Sequence, residues 1–132
     1  MTDKGKYLEA KVQKHFKDKG IWLLRLYDTR SAGAYLPAAP SDYIIVKNPM
    51  EFLECKETED RRLDISDFRP SQLKAMQRAQ QLGVSYNIIV LVKKKQYYKL
   101  DSSEILTTIS NGKKSISLIN RPFSKDVEGL YI

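Results

Sequence analysis

Leu8, Val12 and Phe16 recur at four-residue spacing between Thr2 and about Lys19, with lysines on the other faces and Gly20 just beyond. That pattern predicts an amphipathic helix that stops at the glycine. "IWLLRLYD", 21–28, is a β-branched, aromatic and aliphatic run and predicts a strand. "TRSAGAYLPAAP" breaks the periodicity with Gly33, Pro37 and Pro40 and reads as a loop. "SDYIIVK" and "EFLECKE" then flank "NPM", the signature of a hairpin with a short turn.

Polar residues from Thr58 to Arg69 form a second loop, after which Pro70 and Ser71 open a helix through "SQLKAMQRAQQL", ended by Gly83. "SYNIIVLV" is continuously apolar, as a strand buried on both faces would be. "QYYKL" follows across a lysine turn, and "SSEILTTIS" reads as a short helix capped by Ser102 or Ser103 and stopped by Asn111-Gly112. "SISLI" adds a last strand, and an irregular tail begins at Asn120. The order α-β-β-β-α-β-β-α predicts an α/β fold, a central mixed β-sheet flanked by α-helices. A chain of 132 residues makes this one domain, with its core over about 4–119 and a tail over 120–132.

The third strand breaks its own apolar pattern. Side chains alternate faces along a strand, so Phe52, Glu54 and Lys56 share one face while Leu53 and Cys55 point to the other. Charges at inward positions are normally paired, bound to a metal or neutralised. An ion pair between Glu54 and Lys56 would satisfy that rule by itself, but the hairpin adds Asp42. With an odd turn Asp42 joins the face of Glu54 and Lys56, whereas an even turn would set it against Cys55 on the far side. A three-residue turn, Asn48 to Met50, places Asp42 opposite Lys56 and Ile44 opposite Glu54. Glu9 lies about 100° around the first helix from Leu8, at the border of its buried stripe and one turn from Gln13. Two carboxylates and a lysine on one sheet face suit a hard divalent cation, Mg2+ or Mn2+, to which the Cys55 carbonyl can add an oxygen.

Charge points the same way. The 23 Lys and Arg residues exceed the 16 Asp and Glu residues by seven, which fits a polyanionic partner. A single cysteine excludes an intramolecular disulfide, and with only His15 beside it there is no zinc set. No apolar run approaches the roughly 20 residues of a membrane span and no leader is evident, so a soluble, cytoplasmic protein is expected. No Gly-rich phosphate loop is present, and a nucleotide cofactor has no support.

"PSDYIIV" with Asp42, "EFLECKE" with Glu54-x-Lys56, and a preceding helix with Glu9 together resemble the PD-(D/E)xK nuclease superfamily, whose core is restriction-endonuclease-like. From Lys4 to about Leu100 the chain is most similar to the Holliday junction resolvases of the Hjc and RecU types. "KGKYLEAKVQKHFKDKG" resembles their opening helix, and "ECKETE" followed by "DISDFRPSQLKAM" is similar to RecU, where the next helix bears a glutamine, here Gln72. The resemblance implies one or two Mg2+ or Mn2+ ions held by Asp42 and Glu54 with help from Glu9, catalysis by Lys56, and Gln72 at the rim. It implies four-way junctions as substrate and a homodimer that makes two symmetric nicks. Two features depart from RecU: a serine stands between Pro40 and Asp42, and the stalk insertion is missing. The compact plan is closer to Hjc and suits a host-cell or phage recombination enzyme.

Arg30 and Ser31, with Gly33, stand in the first loop where Hjc-like enzymes carry a polar loop beside the site. Arg61, Arg62 and Arg69 border the acidic strand, and Lys93, Lys94 and Lys95 form the most basic turn. These residues are the candidate DNA contacts, able to neutralise phosphates without reading sequence. Tyr86, Tyr97, Tyr98 and Trp22 are candidates for stacking on unpaired bases or for half-buried core positions. His15 reads as a non-catalytic helix residue and Cys55 as a small core residue. Two alternatives stay open: a nuclease of the same superfamily that cuts flaps, forks or duplex sites, and a non-catalytic DNA-binding module whose acidic cluster is a structural ion-pair network.

Overall fold

The computed structural model describes residues 5–27 and 38–131, so Arg30, Ser31 and Gly33 lie outside the described residues. Helix α1 (Lys6–Asp18) buries Leu8, Val12 and Phe16, the stripe its periodicity predicts. Strands β1 (Trp22–Arg25), β2 (Tyr43–Val46) and β3 (Glu51–Thr58) form an antiparallel meander. Helix α2 (Pro70–Leu82) carries the chain from β3 to β5 (Ser85–Val92), which lies parallel to β3. Strand β6 (Gln96–Asp101) closes the sheet in the order β1-β2-β3-β5-β6, and α3 (Ser102–Ser110) follows. The architecture is the expected mixed sheet flanked by helices.

Strand β5 is buried from Tyr86 to Val92, as its unbroken apolar run predicts. Its alternate side chains feed two cores. Ile88 and Val90 pack with Met76 and Ala79 of α2 and Ile105 of α3. Ile89 and Leu91 pack with Leu8, Val12 and Phe16 of α1 and with Leu53 and Cys55 of β3. Glu54 and Lys56 alternate with Leu53 and Cys55, so they belong to the α2 side, where Phe52 also packs, its ring 5.7 Å from that of Tyr86. Gly83 ends α2 with φ 72°, the left-handed conformation that a residue without Cβ adopts at little cost.

Four sequence expectations need correction. Hairpin register is shifted by two residues: Tyr43 stands opposite Leu53 and Ile44 opposite Phe52, so the ladder leads Asp42 to Glu54 rather than Lys56. A shift of two preserves the pleat, and Asp42 still shares the face of Glu54 and Lys56. The polar stretch after Thr58 is not only a loop, because β4 (Arg62–Asp64) pairs with β7 (Ser115–Ser117) in a separate two-stranded ribbon that seats fully buried Leu63 in the α2-side core. The cap of α3 is Asp101: its carboxylate accepts the Ser103 N–H, and Glu104 reaches back to the Asp101 N–H.

The tail is also more ordered than expected. Ser124 exchanges two backbone hydrogen bonds with Tyr97 on the edge of β6, Val127 is buried, and a 3-10 turn at Glu128–Tyr131 lays Tyr131 against Phe16 and His15. Edge donors on β6 and the apolar end of α1 supply partners that the tail's own sequence does not advertise. Among the described residues no helix is long and apolar enough to cross a membrane.

Candidate active site

Asp42 and Glu54 face each other where β2 begins beside the middle of β3. The Asp42 N–H donates to Glu54 Oε1 at 3.0 Å, and the Cys55 N–H donates to Asp42 Oδ2 at 2.9 Å. Each acidic residue is thus tied to the other's strand. Ser41, which interrupts the Pro-Asp motif, is buried and donates its hydroxyl to the Tyr43 carbonyl at 2.8 Å, while the Tyr86 hydroxyl donates to the Pro40 carbonyl. Those two bonds pin the approach to Asp42 from both sides.

Glu54 is 2% exposed, and three donors converge on it. Its Oε2 accepts Gln72 Nε2 at 2.8 Å and lies 3.2 Å from Lys56 Nζ. Gln72 is buried on the inward stripe that it shares with Met76 and Ala79, and its own Oε1 accepts the Arg69 N–H at 2.9 Å at the start of α2. It is not at the rim, and it touches the carboxylate rather than the lysine. Lys56 also donates to the Asp67 carbonyl at 2.7 Å and stands 5.0 Å over the Phe68 ring, so its ammonium is fixed on three sides.

Burial pushes the Glu54 carboxyl up to about 7, with the Asp42 charge adding to the rise and Lys56 opposing it. Burial likewise raises Asp42, against the hydrogen bond from Cys55. Glu9 reaches this cluster from the other layer. Its carboxylate accepts hydrogen bonds from Arg25 and from the Tyr43 hydroxyl, the latter at 3.0 Å, and its charge contributes to the rise at Asp42. Tyr43 Oη is itself held by Arg25 at 2.9 Å and Gln13 at 2.7 Å. Among the described residues no three of His, Cys, Asp and Glu gather into a set that could hold a metal ion. Asp42 and Glu54 are brought together, while Glu9 is turned toward Arg25 and Tyr43.

The model of the family described as RecU, Recombination protein U, matches residues 25–126. The chain belongs to the RecU family. This is a family of Holliday junction resolvases, and the nuclease activity it implies fits the acidic pair and lysine. Among solved structures, the chain resembles Hjc, a Holliday junction resolvase from Archaeoglobus fulgidus, an archaeal hyperthermophile. The two share 13% identity at a TM-score of 0.54, over 75% of this chain and 78% of that one, a likeness of fold. No curated protein matches the chain.

The other candidates fall in several places on this RecU-family fold. Arg69 directly precedes α2, and its charge is felt at the Tyr86 hydroxyl beside the acidic pair. Arg62 is engaged with Asp64 at 2.9 Å on the ribbon, next to exposed Arg61. Lys93 and Lys94 occupy the β5–β6 turn with φ of 52° and 56°, and the Lys93 N–H donates to the Thr58 carbonyl at the end of β3. Tyr86, Tyr97 and Tyr98 are buried core residues, which leaves exposed Trp22 as the stacking candidate on the surface. His15 stacks on Tyr131, away from the acidic pair. Glu57, inside "ECKETE", accepts the Leu8 N–H at 3.1 Å and so satisfies an open donor of α1.

Arg25 and Tyr43 are the partners that sequence reasoning missed. One signal was available: Tyr43 follows Asp42 and must point to the opposite face, toward the helix that carries Glu9 and Gln13.

Proposed function

We propose that this chain nicks four-way DNA junctions by divalent-cation-dependent phosphodiester hydrolysis, with Asp42, Glu54 and Lys56 as its central residues. The observation that carries the reading is the Asp42–Glu54 pair locked across β2 and β3, with the Lys56 ammonium 3.2 Å from Glu54, in a member of the RecU family. The donor set suits Mg2+ or Mn2+. Both carboxylates are hard oxygen donors, Asp42 Oδ1 accepts no hydrogen bond among the described residues, and the mutual repulsion that helps raise Glu54 is what a cation would relieve.

Asp42 and Glu54 would hold the ion with the Cys55 carbonyl, and Glu9 would assist from α1. When bound, a divalent cation polarises the phosphoryl oxygen, activates water and offsets charge on the leaving oxygen. The protein's share is positioning. Lys56, fixed by Asp67 and Phe68, presents its ammonium to the charge that develops on phosphorus. Gln72 holds Glu54 Oε2 in place, and the Cys55 N–H holds Asp42 Oδ2. Arg30 and Ser31 would meet the scissile strand, with Arg61, Arg62, Arg69 and the β5–β6 lysines on its flanks. Two symmetric nicks require two such sites, so the working form is a C2 homodimer acting in the cytoplasm.

Incubation with a labelled four-way junction, a flap and a plain duplex, with Mg2+ or with chelator, tests the reading. Paired symmetric nicks in the junction that need the cation are expected, and Asp42→Asn, Glu54→Gln or Lys56→Ala should abolish them while binding survives. Cutting of the flap or duplex alone would reassign the substrate. Junction binding without any cutting, or full activity in Glu54→Gln, would overturn the proposed chemistry.

A further inference from the structure

A second concave surface lies on the opposite flank of α1 from Glu9. It is a groove of about 580 Å3 between the outer face of α1, the β5–β6 turn and the docked tail. Six lysines line it, Lys11, Lys14, Lys19, Lys94, Lys95 and Lys125, against three carboxylates. Two of the carboxylates are neutralised within the groove, Asp18 by Lys14 at 2.8 Å and Glu128 by Lys19 at 2.7 Å, and Asp126 accepts the Gly129 N–H. Lys11, Lys94, Lys95 and Lys125 form no ion pair among the described residues.

The four unpaired lysines are not scattered. Lys11 and Lys94 come from different elements, yet each ammonium stands 5.4 Å from the centre of the same half-exposed ring, that of Tyr7. Lys93 and Lys94 sit in the left-handed conformation that a tight hairpin turn normally assigns to Asn or Gly. The chain keeps lysine there in spite of the strain, and like charges gathered in a concavity persist most readily where a polyanion neutralises them. From Tyr7 to Asp18 the helix runs about 16 Å, which along the duplex axis matches roughly five phosphates of one strand. Tyr7 opens the groove two residues before Glu9, so the groove and the acidic site share the start of α1.

We propose that this groove, with Lys11 and Lys125 as newly assigned contacts beside Lys94 and Lys95, seats the phosphate backbone of a duplex arm that flanks the cut. The proposal rests on the nuclease reading above and gives that reading a path for the uncut DNA. Contacts of this kind carry no sequence information and set the register of the duplex on the protein.

The test is the salt dependence of binding, measured by fluorescence anisotropy in chelator with a labelled junction and a labelled 20-base-pair duplex. Each neutralised phosphate contributes about 0.9 to the slope of log K against log salt, so Lys11→Ala with Lys125→Ala should flatten it by roughly two units on both DNAs. The matched double Lys113→Ala with Lys114→Ala, remote from the groove, should change it by less than about half a unit. Equal flattening in the two doubles would reduce the effect to net charge and overturn the groove. So would an unchanged slope in Lys11→Ala with Lys125→Ala, or a loss confined to the junction. Thermal unfolding of both doubles checks that each is folded. If the wild-type chain bound neither DNA, the nuclease reading would fail first, an outcome distinct from failure of the groove alone.

Discussion

Two of the glutamates that meet cations on this fold behave in opposite ways. Glu104, at the start of α3, receives both guanidinium arms of Arg121 at 2.7 and 2.9 Å, closes the capping box of its helix, and has its carboxyl held below the ordinary value chiefly by the Arg121 hydrogen bonds. Glu54 also has a cation beside it, Lys56 at 3.2 Å, yet its carboxyl is driven up because burial and Asp42 outweigh that partner. Proximity of opposite charges therefore does not identify a stabilising pair. At Glu104 the charge is compensated and partly hydrated, and it supports a helix start. At Glu54 the charge is under-compensated in a dry place, a cost that folding alone gives no reason to retain.

The sharpest way to break this contrast is to titrate it. Glu54 is raised from about 4.5 to about 7, so between those values the folded chain holds a proton that the unfolded chain has lost. Stability should fall as pH rises through that window, by up to about 3 kcal/mol at 1.36 kcal/mol per unit. Glu104 has the opposite sign: its contribution is present above the unfolded value and disappears as pH falls through the lowered folded value. Urea unfolding in chelator, for wild type and Glu54→Gln from pH 5 to 8, should show the wild type losing ground to the variant as pH rises. A difference that stays flat would contradict the account of Glu54.

Gln72 sharpens the comparison at the next level of magnitude. It gives Glu54 a neutral donor where Glu104 has the charged Arg121, so it can orient the carboxylate without forcing it to ionise. Gln72→Ala should lower the cutting rate by roughly 10- to 100-fold, the range for residues that hold a metal-binding carboxylate in place. The loss should shrink as Mg2+ is raised. Gln72→Glu should not restore activity, because it places another carboxylate against Glu54. Retention of wild-type kinetics and metal dependence in Gln72→Ala would remove it as a positioning residue.

Much of this was legible in the chain. Leu8, Val12 and Phe16 announced α1, and the unbroken "YNIIVLV" announced a strand covered on both faces. The face shared by Asp42, Glu54 and Lys56 followed from the two-residue pleat, and it survived a register shift because that shift was also two. What escaped depended on partners distant in sequence. The ribbon of β4 and β7 joins Arg62–Asp64 to Ser115–Ser117, and neither three-residue piece has a period to read. The family resemblance puts Gln72 only at the rim, and its contact with Glu54 emerges when α2 is laid on the sheet and its stripe, Gln72, Met76 and Ala79, turns inward. Arg25 and Tyr43 gained a role only when α1 brought Glu9 against them.

The smallest expected effect tests the other half of the comparison. Arg121 ties the chain after β7 to the start of α3 through two oxygens of Glu104, but both side chains are about one-third exposed, where water screens the attraction. Arg121→Ala should therefore cost less than about 1 kcal/mol in urea unfolding at pH 7. That cost should fade below the ordinary range of a glutamate, as Glu104 takes up a proton in wild type and variant alike. Junction cutting should be unaffected, since the pair joins the start of α3 to the chain after β7 and, among the described residues, no hydrogen bond links it to Asp42, Glu54 or Lys56. A large loss of cutting in a folded Arg121→Ala would mean that the two glutamates are coupled after all, and the division between a supporting pair and a reacting one would have to be redrawn.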